Sequence, residues 1–148
     1  MAAEYTLKRR VQFYETDAAG IVHFTSFFRY MEEAEHALWR EAGLSIHPER
    51  SDIGWPRVAS ACEFHRALKF EQEIDVTIRV AEMTRLTIIY TCEMTRDGEK
   101  VATGTLKIAC VSKMPDGTLR SVEIPEEITR RLRPSDQPPI PNLQPPLS

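Results

Sequence analysis

Between residues 73 and 112 the chain keeps a period of two with little interruption. Ile74, Val76, Ile78 and Val80 stand on one side of residues 73–80. Leu86, Ile88, Tyr90, Cys92 and Met94 do the same over residues 86–95, and Ala102, Leu106, Ile108 and Cys110 over residues 101–112. A period of two sends successive side chains to opposite faces of an extended strand, so each stretch reads as a strand with one buried face. Asp97-Gly98 between the last two is a two-residue hairpin signal, because both positions of a primed turn need positive φ. Two more stretches alternate. Residues 5–13 carry Tyr5, Leu7, Val11 and Phe13 on one face, and residues 57–65 carry Val58, Ser60, Cys62 and Phe64.

Residues 26–42 break the period. Phe27, Tyr30, Met31, Ala34, Leu38 and Ala42 form one apolar stripe at helical spacing. Thr25 or Ser26 is placed to cap the start, and Gly43 stands where a C-terminal glycine ends a helix. Pro125 opens a short amphipathic helix reaching about Leu132. Trp39, on the long helix, and Trp55, before the second strand, read as packing residues. The order is strand, long helix, then four antiparallel strands. That predicts an α+β domain in which a five-stranded sheet curls around one helix. Such a sheet leaves two long edges, and pairing with another copy is a common way to cover them. A homodimer or homotetramer is the expectation.

Composition limits the partners. The 148 residues carry 19 Lys and Arg against 22 Asp and Glu, a net charge of -3, so the chain lacks the basic footprint of a nucleic-acid binder. No apolar run approaches the ~18 residues a membrane span needs. Residues 1–10 hold Glu4, Lys8, Arg9 and Arg10 without the apolar stretch of a signal peptide. Cys62, Cys92 and Cys110 are odd in number and have no metal-ligand spacing, which points to reduced, core-facing thiols in a cytoplasmic protein. Six of the ten prolines lie from Pro134 onward. Proline fixes φ and removes a backbone donor, so residues 134–148 read as an extended or disordered tail after a folded body of residues 4–133.

The segment most suited to chemistry joins the first strand to the long helix: Tyr14-Glu15-Thr16-Asp17-Ala18-Ala19-Gly20-Ile21-Val22-His23-Phe24-Thr25-Ser26-Phe27. A loop feeding a helix N-terminus presents unpaired N–H groups and the positive end of the helix dipole. That environment suits a polarised carbonyl oxygen. Asp17 lies just upstream, and the small Ala18, Ala19 and Gly20 let a ligand approach the backbone. A carboxylate there can attack an electrophile or activate a water. The local pattern equally fits a turn aspartate that satisfies loop N–H groups. Glu15 reads as a solvated loop charge.

The run Asp17-Ala18-Ala19-Gly20-Ile21-Val22, followed by aromatics and the helix Phe27-Phe28-Arg29-Tyr30-Met31-Glu32, resembles the hot-dog-fold acyl-CoA thioesterases. It is most similar to their 4-hydroxybenzoyl-CoA thioesterase and YbgC-like branch, over most of residues 5–125. The resemblance implies that Asp17 acts as nucleophile or general base on a thioester carbonyl. It implies that the Phe24 N–H polarises the carbonyl oxygen and that Gly20 keeps the loop open to the acyl group. Ser26, Tyr14 and Glu32 match positions that can line the substrate pocket. Members of the branch often place a histidine where Phe24 stands. Here the order is reversed, so His23 stands either in the catalytic group or as a loop histidine shaping the pocket. His65, Arg66 and Lys69, at the end of the second strand, suit the phosphates of CoA, because basic side chains bind them. Read as an exposed strand end, they have no such role.

The expected function is hydrolysis of a small or medium acyl-CoA, with aromatic side chains near the loop suiting an aryl group. No metal and no redox cofactor is called for. Two alternatives stand beside it. One is a non-catalytic acyl-CoA or acyl-carrier binding protein, to which the Asp17 carboxylate would be superfluous. The other is a hydratase or dehydratase on the same fold, whose paired Asp and His pattern this chain does not carry.

Overall fold

A computed structural model describes residues 4–134. The tail expected over residues 134–148 therefore lies, apart from Pro134, outside the described residues. Strand β1 (Glu4–Arg10) is followed by a 3-10 turn (Phe13–Glu15) and helix α1 (Phe24–Glu41). Then come β2 (Ile53–Gly54), β3 (Arg57–Phe64), β4 (Glu73–Met83), β5 (Thr87–Arg96), β6 (Glu99–Ala109), β7 (Val111–Lys113), β8 (Leu119–Ser121) and helix α2 (Glu126–Arg131). The five long strands form one antiparallel sheet in the order β1-β4-β5-β6-β3, with α1 against one face. This is the expected hot-dog arrangement. A second, three-stranded sheet, β2-β7-β8, was not legible as alternation, because its strands are two or three residues long.

Register explains the core. Ile78 faces Cys92, Cys92 faces Gly104, and Gly104 faces Cys62, one row running under the helix. At Gly104 an added Cβ would lie 2.5 Å from Met31 Sδ and 3.1 Å from the Ala61 carbonyl oxygen, so glycine lets the helix approach the sheet. Tyr30, Met31, Ala34, Leu38 and Trp39 are buried along α1, as the stripe predicts. Each large side chain so buried contributes about 1.5–3 kcal/mol. Trp39 donates from Nε1 to the Tyr90 hydroxyl at 2.9 Å and meets Trp55 edge to face at 5.1 Å. The cysteines are free thiols, Cys92 and Cys110 buried and Cys62 half-buried. Burial, with Glu63 adding to it, pushes the Cys62 thiol up to about 12.

Several expectations change at this level. The strand at residues 5–13 stops at Arg10, and Phe13 turns outward, 72% exposed and edge to face with Phe70. The cause is the 3-10 turn over Phe13–Glu15, which Gln12 caps and which carries Phe13 off the strand. Arg9 takes the inward position after Tyr5 and Leu7, opposite Ile74, where a guanidinium needs an anion within reach. Val58 does not face the helix. A register shift between Arg57 and Ala59 leaves it without a partner on β6 and 52% exposed. Nor does β3 pair with the next strand. It crosses to the far side of β6, leaving its other edge unpaired among the described residues. The capping residue of α1 is neither Thr25 nor Ser26 but His23, whose Nδ1 accepts from the Thr25 N–H at 3.2 Å. Among the described residues no helix is long and apolar enough to cross a membrane.

Candidate active site

The loop from Thr16 to Val22 closes on itself. Thr16 and Val22 form an antiparallel bridge, Asp17 N–H donates to the Ile21 carbonyl at 2.8 Å, and Gly20 N–H donates to the Asp17 carbonyl at 3.0 Å. Gly20 takes φ +79°, the left-handed conformation that glycine adopts without strain. Asp17 Oδ1 accepts from Ala19 N–H at 2.8 Å, so the turn-aspartate reading is correct for one oxygen. Oδ2 has no hydrogen-bond partner among the described residues. Asp17 is half-buried and lines a cleft of about 290 Å³.

One wall of that cleft is Asp17, Ile21, Val22, Phe24 and Phe27. The other is the end of β3 and the segment after it: Phe64, His65, Arg66, Ala67 and Leu68. A single backbone bond, Val22 N–H to the Leu68 carbonyl at 2.8 Å, ties the walls together. Phe27 and Phe64 meet edge to face at 5.2 Å across the floor. Phe24 is the first residue of α1, and its N–H has no acceptor among the described residues, as a helix start dictates. The cleft is therefore lined by the half-buried Asp17, by Phe24, whose N–H lacks an acceptor among the described residues, and by an apolar floor. That combination can hold a polarised carbonyl beside an anionic oxygen.

Of the expected site residues, the fold brings Asp17, Phe24, His65 and Arg66 to this cleft. His65 shares a 3.0 Å hydrogen bond between Nε2 and the Thr103 hydroxyl. Arg66 also borders an adjoining cleft with Lys69, Gln72 and Arg96, and pairs with Glu99 at 2.8 Å. Arg96 joins this basic rim unannounced by the sequence, delivered by the hairpin turn that follows it. His23 caps the helix and stacks on the Phe24 ring at 4.8 Å without lining the cleft. Tyr14 is 80% exposed, and Gly20 lies on the open side of the loop. Ser26 is used structurally, its hydroxyl donating to the Glu15 carbonyl at 3.3 Å. Glu32 lies in a different cleft, with Thr25, Phe28, Arg29, Arg57, Ser60 and Leu106, and pairs with Arg57 at 3.1 Å.

Glu15 overturns its expectation as a solvated charge. It is 6% exposed and joined to Arg9, Tyr30 and the Gln12 N–H. Burial, then Glu15, pushes the Tyr30 phenol well above its ordinary value. Glu33 and Glu15 hold the Arg9 guanidinium above its own. The signal that finds Glu15 is the arginine on the inward face of β1, which requires a buried anion within reach. A second buried acid, Glu35, is held by Arg57 at 3.0 Å. Burial raises its carboxyl, against the opposing pull of Arg57.

Residues 11–132 match the family model described as the thioesterase-like superfamily. A solved structure of a hypothetical protein from Aquifex aeolicus is 31% identical, with a TM-score of 0.79 over 87% of this chain and 99% of that one. A 1,4-dihydroxy-2-naphthoyl-CoA hydrolase of Prochlorococcus marinus is 26% identical over 110 residues, 68% of this chain and 71% of its own length. A 4-hydroxybenzoyl-CoA thioesterase variant, solved with 4-hydroxybenzoyl-CoA bound, superposes with a TM-score of 0.79 over 89% of this chain and 100% of that one. At 19% identity that last likeness bears on the fold alone.

Proposed function

Because the chain belongs to the thioesterase-like superfamily, whose model spans residues 11–132, we propose that it hydrolyses an acyl-CoA thioester to the free acid and CoA in the cleft beside Asp17. The observation that carries this reading is that one cleft is lined by both Asp17 and Phe24, the residue that opens α1 with an acceptor-free N–H. The thioester carbonyl oxygen sits on the Phe24 N–H, where the helix dipole adds to the hydrogen bond. Asp17 Oδ2 attacks the carbonyl carbon, or takes a proton from the water that does. On the first route the C–S bond breaks, CoA leaves as the thiolate, and water hydrolyses the acyl-Asp17 anhydride to the free acid and supplies the proton of the thiol; on the second, the proton taken from water passes to the departing sulfur. His23 serves through the helix cap, holding the turn that carries the Phe24 N–H. Ser26 serves through the Glu15 carbonyl that its hydroxyl bonds, while Tyr14, Gly20 and Glu32 lie outside the cleft that holds the thioester.

The apolar floor, Phe27 against Phe64, suits a small, medium or aromatic acyl group. His65, Arg66 and Lys69, with Arg96 beside them, receive the phosphates of CoA. The reaction needs no metal or redox cofactor. Residues 4–133 act as one catalytic domain. Three free thiols suit a cytoplasmic setting, and the unpaired edge of β3 suits a homo-oligomer.

The test is thiol release from a panel of acyl-CoAs by the native chain and by Asp17→Asn. The native chain is expected to turn over at least one member. The variant is expected to lose about 10²-fold or more in kcat, with fold and oligomeric state unchanged. Binding without thiol release would leave a carrier-binding protein, and full activity in the variant would remove Asp17 from the mechanism.

A further inference from the structure

We propose that Glu15 is the positioning residue of this site: it sets the distance between the Asp17 carboxylate and the Phe24 N–H. The inference rests on the thioesterase reading above. The case begins with what one residue touches. The Glu15 carboxylate accepts from both terminal nitrogens of Arg9, one at 3.1 Å, from the Tyr30 hydroxyl at 2.9 Å, and from the Gln12 N–H at 2.8 Å. Those partners sit on β1, on α1 and in the connection between them. Arg9 is itself clamped from its other side by Glu33 of α1, at 2.6 Å from Nε and 3.2 Å from Nη2, and its guanidinium lies 4.9 Å from the Tyr30 ring centre.

The main chain of Glu15 does the second half of the work. Its carbonyl accepts from the His23 N–H at 2.8 Å and from the Ser26 hydroxyl at 3.3 Å. His23 directly precedes Phe24, and Glu15 stands two residues before Asp17. The nucleophile and the carbonyl-polarising donor are therefore both one or two residues from an atom held by Glu15. The loop between them is exposed over Ala18, Ala19 and Gly20 and makes no core contact there to fix its shape. The Thr16–Val22 bridge and the loop's own hydrogen bonds hold it as a closed unit, and Glu15 seats that unit on β1 and α1. A buried, multiply bonded carboxylate suits this use because each bond restricts a different direction of movement, and its desolvation is offset only when all of them are made.

The consequence is a split between rate and binding. Glu15 touches no substrate-lining atom, so removing its charge should leave KM near that of the native chain. Misplacement of reacting groups by about 1 Å costs about 10²-fold in rate. Glu15→Gln, which keeps the shape and loses the charge, should lower kcat by about 10–10²-fold with KM changed less than about threefold. Because this variant leaves Arg9 short of a partner, the double variant Arg9→Met with Glu15→Leu is measured as well. It removes the ionic pair together, which is far less costly to the fold than breaking it. It should stay folded with a lowered melting temperature, because the Tyr30 hydroxyl and the Gln12 N–H lose their acceptor, and show the same fall in kcat.

Trp39→Phe supplies the comparison. It loses the hydrogen bond to Tyr90 at the other end of α1 and should lower the melting temperature without changing kcat. Native kcat in either Glu15 variant, alongside an inactive Asp17→Asn, would overturn the positioning role and leave the thioesterase reading standing. Full activity in Asp17→Asn would overturn both. If Glu15→Gln fails to fold, the double variant decides the question by the same two outcomes.

Discussion

Gly104 shows how one missing methyl group constrains this fold. It stands where β6 passes beneath Met31, and the nearest atoms to an added Cβ are a buried sulfur and a backbone oxygen. The backbone oxygen cannot swing aside as an exposed side-chain end can. Gly104→Ala is expected to destabilise the chain by about 1–3 kcal/mol, read as a lower urea midpoint at unchanged slope. An unchanged midpoint would mean that the helix rides more loosely than described. At this scale the sequence is legible where a residue obeys one period and opaque where its role depends on a distant charge. The placement of Asp17 in the loop beside the helix start was legible, because loop and helix adjoin in sequence, though the same pattern fitted a turn aspartate equally well. Glu15 was not, because its meaning comes from Arg9 on β1 and Tyr30 on α1. Phe13 misled because it continues the alternation of β1 on paper but opens the 3-10 turn that follows the strand.

Among the elements, α1 was readable to within two residues at its start, and its C-terminal glycine was correctly placed at φ +77°. Its cap was not readable, since histidine is an uncommon capping residue. The ring nitrogen of His23 accepts the Thr25 N–H and meets the Thr25 hydroxyl at 2.7 Å. His23→Ala should therefore cost about 1 kcal/mol of stability, whereas His23→Asn restores a capping oxygen and recovers it. If the ring acts only through the cap, thermal melts and kcat recover together in the Asn variant. Equal loss of activity in both variants would place the imidazole in the chemistry itself. The Asp97-Gly98 turn behaved as its sequence predicts, with φ of 52° and 80°. The small sheet of β2, β7 and β8 was beyond such reading, because two or three residues do not make a period.

The whole molecule is organised around an unequal pair of sheet edges. β1 is braced by α1, but β3 offers its outer edge with Val58 and Phe64 about half exposed. A lysine on such an edge opposes strand-to-strand association. If the proposed homo-oligomer pairs through this edge, Val58→Lys shifts the chain toward monomer in size-exclusion light scattering, and an unchanged mass would remove the edge from the proposed contact. The sheet order has one more consequence, in the time domain. β4, β5 and β6 are sequential neighbours, so their hairpins close short loops and can form early. β1 must instead find β4 across the whole helix and β3, and β3 must skip past two strands to reach β6. Pairings that close long loops are slow, because the entropy is lost before contacts repay it. The cleft lies between the segment that follows β1 and the segment that follows β3. The proposed active cleft is thus expected to be completed only after both late strands have paired, and to be lost when either one detaches.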